Sequence, residues 1–225
     1  MPDPQQQAIK AIETLIGYTF KDSALLSLAI THASTASGQS YERLEFLGDR
    51  VLGMAVANTL YEKFANEPEG DLAKRLSALV QGETLAQIAR EHDLGQYIQM
   101  SEAERNAGGA DNDHILADIV EAILGALYLD AGYETCQKLV AQLWGDRFYE
   151  MTRPPLHPKT RVQEWSQAKG IGLPVYEIID QSGPDHAPVF EVCLTVGDYK
   201  PACATGKSRQ EAEKKAAHLF MKDKS

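Results

Sequence analysis

Apolar positions recur every three to four residues through most of the first 150 positions, and the period changes after that. Ala8, Ile9, Ile12, Leu15 and Ile16 make one face of a helix over residues 5–16, which Gly17 ends. Asp22 or Ser23 can cap a second helix carrying Leu25, Leu26, Leu28, Ala29 and Ile30. Residues 31–38 are polar and small and read as a loop. From Tyr41 a long helix is predicted to about Phe64. Its tail (Met54, Val56, Ala57, Leu60, Tyr61, Phe64) is apolar nearly all round, which predicts burial on most sides. Residues 66–71 form a turn, with Asp71 suited to cap a helix through Val80. Further helices are predicted over Glu83–Arg90, His114–Leu129 and Tyr133–Tyr149, with a polar loop over 101–113. No strand is predicted before residue 150.

Met151–Pro158 is a Pro-rich connector, stiff and extended. Beyond it, Thr160–Lys169 is helical, residues 175–179 and 189–196 alternate like strands, residues 199–205 form a third strand, and residues 208–221 close with a helix. The predicted fold class is therefore multidomain, α then α+β. It comprises an all-α domain over 1–150, a linker over 151–157, and an α-β-β-β-α domain over 158–225.

With 44% apolar and 24% charged residues, the composition is that of a soluble globular protein. No apolar run approaches the roughly 20 residues that span a bilayer, so no membrane partner is expected. The first residues show neither the basic nor the apolar region of a secretory signal, which predicts a cytoplasmic protein. Cys136, Cys193 and Cys203 are odd in number and lack metal-ligand spacing. They read as reduced thiols, and a disulfide framework is not expected. The net charge of −10 argues at first against a nucleic-acid partner. It is unevenly spread, however: residues 1–157 hold 12 Lys+Arg against 23 Asp+Glu, whereas residues 158–225 hold 10 against 9. That asymmetry suggests two domains with different work.

Glu42, Glu45 and Asp49 lie at i, i+3 and i+7, within about 60° of arc on a helix. Like charges on one face repel, so the arrangement costs stability unless a cation or proton offsets it. Asp118 and Glu121 form a second pair, i and i+3, inside the apolar helix 114–129, where ionised acids are expensive to bury unpaired. Either Arg and Lys partners or a metal ion would relieve them. Two acidic helices crossing could cage one or two divalent ions, and oxygen-only ligands favour Mg²⁺ or Mn²⁺ over Zn²⁺. A salt-bridged structural pair and a solvated acidic face remain the competing readings.

In the last domain, the closing helix opens beside Lys207 and Arg209, and backbone N–H groups at a helix N-terminus with such neighbours form a phosphate site. Gln163 and Gln167, at i and i+4, offer amides to 2′-hydroxyls and base edges of a shallow minor groove. Three such regions, with the loop over 181–188, suit double-stranded RNA. An ordinary small α/β domain with solvated cations is the alternative.

The chain resembles bacterial ribonuclease III over nearly its whole length. Glu42-Arg43-Leu44-Glu45-Phe46-Leu47-Gly48-Asp49 matches that family's hallmark motif, and Thr31-His32-Ala33-Ser34, Glu69-Gly70-Asp71 and Leu116–Ala122 fall where the family has its corresponding segments. The tail resembles a double-stranded-RNA-binding domain. The resemblance implies a homodimeric, Mg²⁺-dependent endonuclease, with Mn²⁺ able to substitute. It would hydrolyse double-stranded RNA to 5′-phosphate and 3′-hydroxyl ends with short 3′ overhangs, and process ribosomal RNA precursors, some mRNAs and other structured RNAs. It assigns metal binding to Glu45, Asp118 and Glu121, and catalysis to Asp49 and Glu121 with help from Glu42. RNA contact is assigned to His186, Gln210 and Lys214 in addition to the residues above, and Phe46 is placed at the dimer seam. His32 reads as a structural hydrogen-bonder. The chain departs from the pattern in its acidic 108–114 loop, and in Ala204, Gln210 and Glu213, the last two of which stand where many such domains carry Lys. Weaker, more salt-sensitive RNA binding is expected from this. The alternative on the same fold is a non-cleaving double-stranded-RNA-binding or ribosome-associated protein, from which members of the acid set would be missing; all five acids are present here.

Overall fold

The computed structural model describes residues 4–36, 38–151, 154, 158–184, 188–222 and 224. The chain divides into two compact units, Met1–Pro155 and Leu156–Ser225.

The first unit is built from helices α1 (Pro4–Ile16), α2 (Ser23–Ala29), α3 (Glu42–Lys63), α4 (Glu69–Leu79), α5 (Gly82–Glu91), α6 (Glu102–Asn106), α7 (Asp113–Ala131), α8 (Tyr133–Trp144) and α9 (Arg147–Glu150). Helix α7 is the axis of the core. From Ile115 to Leu127 only Asp118 and Glu121 of its side chains escape full burial, as its nearly continuous apolar sequence requires. Asn112 caps it, its side-chain oxygen accepting from the His114 and Ile115 amides. Helix α3 packs on it and buries Leu44, Gly48, Val51, Leu52, Ala55 and Val56. Trp144 is fully buried and its indole Nε1–H donates to the Leu79 carbonyl at 2.8 Å, while Arg75, also fully buried, pairs with Glu67.

Several expectations need correction. The tail of α3 is not buried all round: Met54 and Tyr61 are 60% and 74% exposed, although α4, α7 and α8 all pack on this helix. Asp71 does not cap α4, which starts two residues earlier after Pro68. The 101–113 segment is not wholly loop. Ser101 caps the short α6, its Oγ accepting from Glu104 N–H, and the Arg105 guanidinium ties it to the Ile98 carbonyl at 2.6 Å. The helix expected over 133–149 breaks at Gly145, whose φ of 44° only glycine adopts readily. An isolated parallel bridge joins Thr31 to Gln99.

The second unit runs α10 (Pro158–Ala168), β1 (Val175–Ser182), β2 (Val189–Thr195), β3 (Ala202–Gly206) and α11 (Arg209–Lys222). The strands form one antiparallel sheet in the order β1-β2-β3. Val162, Leu194, Val196, Ala216, Ala217 and Phe220 make its core between sheet and helices. The third strand starts at Ala202, later than expected, because Gly197 (φ 51°) turns the chain and Tyr199 N–H closes that turn on the Val196 carbonyl. Tyr199 instead packs edge-on against Trp165 and Phe220. Since Val192 and Leu194 face the core, Cys193 faces away from it and lies opposite Cys203 across β2 and β3. The two are joined in a disulfide, which overturns the expectation of reduced thiols for this pair. Cys136 is free and buried. Among the described residues no helix is long and apolar enough to cross a membrane.

Candidate metal centre and nucleic-acid face

The acids of α3 and α7 meet because two glycines let the helices touch. A Cβ added to Gly48 would collide with the backbone carbonyl of Glu121, and one added to Gly125 would collide with that of Leu44. With backbones this close, residues one turn N-terminal to each glycine share the same side of the crossing. Glu45, Asp118 and Glu121 are gathered there, each offering a carboxylate oxygen within 4.8 Å of the others. All three are half-buried.

The electrostatics are those of an uncompensated cluster. Burial, reinforced by the charges of Glu45 and Asp118, pushes the Glu121 carboxyl up to about 7. Burial and then Asp118 raise Glu45 as well. Burial also raises Asp118, against the hydrogen bond it accepts from Tyr41 Oη–H at 3.1 Å. Surface acids paired with cations titrate low, so the upward shifts mark a cluster that wants a proton or a cation. The donor set fits a hard divalent ion: three carboxylates from two rigid helices, all oxygen, with a tyrosine hydroxyl already in place behind one of them.

The remaining two acids stand beside this group and are not members of it. Glu42 is exposed and accepts from Ser40 Oγ at 2.8 Å. Asp49 is paired with Arg50, whose guanidinium also lies 4.9 Å from the centre of the Phe46 ring. Arg50 is close enough to pull Glu45 and Glu121 downward, a partial counter-charge that helical spacing did not reveal. Phe46 is 63% exposed. His32 is structural in its contacts: Nδ1 accepts from Ser34 N–H at 3.1 Å, and the ring tilts against that of Tyr41. Tyr41 was not foreseen either. The only sign of it in the sequence was an aromatic hydroxyl one turn ahead of Glu45.

In the second unit, Gln163 and Gln167 are exposed on α10, and Lys207, Arg209, Gln210 and Lys214 are exposed at the start of α11. His186 lies outside the described residues. The phosphate site expected at the start of α11 is already partly occupied. Glu211 N–H donates to Ser208 Oγ, and the Glu211 carboxylate accepts from Lys207 N–H while pairing with Lys215. Glu213 is 5% exposed and bridges Lys159 of α10 and Arg209. Burial pushes its carboxyl up, but those two cations hold it below the usual carboxylate range.

Comparison with known proteins agrees with this layout. Residues 22–146 match the family described as Ribonuclease-III-like, and residues 158–223 match the double-stranded RNA binding motif. Ribonuclease 3 of Caulobacter vibrioides is 45% identical over 97% of this chain and 97% of its own length. That of Azorhizobium caulinodans is 43% identical over 96% and 94%. The nuclease domain of ribonuclease III from Campylobacter jejuni superposes with a TM-score of 0.60 at 43% identity, covering 63% of this chain and 99% of that domain. A carboxylate cage on crossed helices, a separate RNA-binding motif and relatives alike over almost their whole length lead to one conclusion: this chain belongs to the ribonuclease III family and is an endoribonuclease.

Proposed function

We propose that the chain is a homodimeric, Mg²⁺-dependent, cytoplasmic nuclease of double-stranded RNA. Residues 1–150 form its nuclease domain and residues 158–225 the domain that holds the duplex. Its substrates are ribosomal RNA precursors and other structured RNAs, left with 5′-phosphate and 3′-hydroxyl ends and short 3′ overhangs. The observation that carries this reading is the gathering of Glu45, Asp118 and Glu121 within ligand distance of one another. Dimerisation is supported by the exposed Phe46, Met54 and Tyr61 along α3, and by the Campylobacter jejuni nuclease domain, whose description refers to a region involved in dimer formation.

Glu45, Asp118 and Glu121 would hold the cation. When bound, it supplies positive charge against the phosphodiester and makes water a better nucleophile at neutral pH. The chain's own part is positional. Two helices locked by Gly48 and Gly125 fix the three carboxylates before any substrate arrives, and Tyr41 occupies one oxygen of Asp118. Asp49 and Glu42 flank the cage and can order water beside the scissile phosphate. Lys207, Arg209, Gln163 and Gln167 contact backbone phosphates and 2′-hydroxyls, so affinity and chemistry reside in different domains.

The test is a gel assay of a long RNA duplex with the full chain in Mg²⁺, in Ca²⁺ and in EDTA, run beside Glu121→Gln, with the product ends analysed. Cleavage by the wild type in Mg²⁺ alone, leaving 5′-phosphates, is expected. Glu121→Gln should bind the duplex as the wild type does without cutting it. Undiminished cutting by that variant would refute the assignment.

A further inference from the structure

Tyr41 is the residue from which α3 springs, and it is only 4% exposed. Its backbone is held on both sides: N–H donates to the Thr31 carbonyl at 2.9 Å, and its carbonyl accepts from Leu44 and Glu45 N–H at 2.8 and 2.9 Å. The segment it leans on is itself pinned. Thr31 Oγ1 donates to the Ser27 carbonyl at 2.7 Å, His32 N–H donates to the Gln99 carbonyl at 2.8 Å, and Gln99 N–H donates to the Ile30 carbonyl at 2.8 Å. The His32 ring rests 5.8 Å from the Tyr41 ring and is fixed through Ser34, whose Oγ in turn accepts from Ser101 N–H at 3.0 Å. The phenol therefore has little freedom. Its hydroxyl ends on Asp118 Oδ2, across 77 residues of sequence.

The geometry points to Tyr41 as a positioning residue for the cation: its hydroxyl, fixed on Asp118 Oδ2, holds the orientation of a carboxylate that offers an oxygen within 4.8 Å of those of Glu45 and Glu121. An ionised carboxylate flanked by two others gains by turning away from them, and a fixed donor on one of its oxygens opposes that rotation. Hydroxyl and amide donors behind ligating carboxylates act in this way, and their loss costs about 10–100-fold in metal affinity. Arg50 does not take its place: it pairs with Asp49, and its charge acts on Glu45 and Glu121. The 31–34 segment, which carries no ligand, becomes by this route part of the metal site's support. The inference rests on the metal reading of the cage.

The experiment measures Mn²⁺ binding to the full chain without RNA, by the electron paramagnetic resonance signal of free Mn²⁺. It uses the wild type, Tyr41→Phe, Asp118→Asn and the double variant, with melting temperature and duplex-RNA binding recorded alongside. Tyr41→Phe is expected to weaken Mn²⁺ about 10-fold, with the melting temperature and RNA affinity unchanged. Added to Asp118→Asn, it should have no further effect on whatever binding remains, since it acts through that carboxylate. Wild-type affinity in Tyr41→Phe would overturn the positioning role while leaving the cage intact. So would equal weakening in both backgrounds together with a lower melting temperature. Wild-type binding that ignores Asp118→Asn would overturn the metal reading and this inference with it.

Discussion

Gly48 on α3 and Gly125 on α7 face each other so closely that a methyl group on either would meet the backbone nitrogen of the other, at 3.0 Å and 3.2 Å respectively. Glu45 lies one turn before the first glycine and Glu121 one turn before the second. The closest approach of the two helices therefore sets the separation of the carboxylates, and cage and crossing are one feature.

Gly48→Ala should test that link. The added methyl would strike the Glu121 carbonyl, which belongs to backbone and cannot move alone, so the helices must part. Overpacking of this kind costs about 1–3 kcal/mol. A lower melting temperature is expected together with weaker Mn²⁺ binding. A variant that melts early but binds Mn²⁺ normally would separate the crossing from the cage.

The raised carboxyls of Glu121, Glu45 and Asp118 make a pH prediction for the metal-free chain. A carboxyl whose folded value exceeds its unfolded one binds more protons when folded, so it stabilises the fold at low pH and loses that contribution as pH rises. For Glu121 the loss runs from the ordinary 4.5 through about 7. Melting of the wild type relative to Glu121→Gln should therefore worsen across that window, and saturating Mg²⁺ should remove the trend. Mg²⁺ binding at pH 6 should also release protons, visible in calorimetry as a dependence on the buffer's ionisation enthalpy.

Phe46 carries a large ring into solvent with the Arg50 guanidinium over it, an arrangement suited to an anchor in a partner's pocket. Phe46→Asp should raise the dimer dissociation constant about 30-fold or more, as loss of an anchor costing at least 2 kcal/mol does. Sedimentation velocity of the two proteins across a dilution series reads this directly. The variant's melting temperature should change little, since the ring is 63% exposed.

Sequence arithmetic was enough to place the acids, because helical spacing alone puts Glu42, Glu45 and Asp49 on one face and Asp118 beside Glu121. It did not show that Asp49 would turn to Arg50, or that Tyr41 would reach Asp118, since both depend on contacts between segments far apart or on a rotamer. Met54 and Tyr61 misled for a related reason: an apolar helix reads the same whether its second face meets its own core or solvent. Helix α6 has no apolar period, and what holds it is a serine cap and one arginine. Cys193 and Cys203 are joined only because the hairpin register sets them opposite each other, which spacing in the sequence cannot reveal.

Glu213 stands where many such domains carry Lys. Its place in the sequence marked it as a departure from a basic pattern, but its burial between Lys159 and Arg209 gives the departure a mechanism. A carboxylate there offsets part of the charge that Lys159 and Arg209 can present to phosphates, and Glu211 occupies the Lys207 amide. Glu213→Gln keeps the shape and removes the charge. It should lower the melting temperature of the second unit, because two cations lose their buried partner. It should also raise the affinity for duplex RNA several-fold. The slope of log affinity against log salt should steepen by about one for each further phosphate that the released cations neutralise. An unchanged slope with unchanged affinity would show that Arg209 and Lys159 do not reach the RNA, and that the bridge serves stability alone.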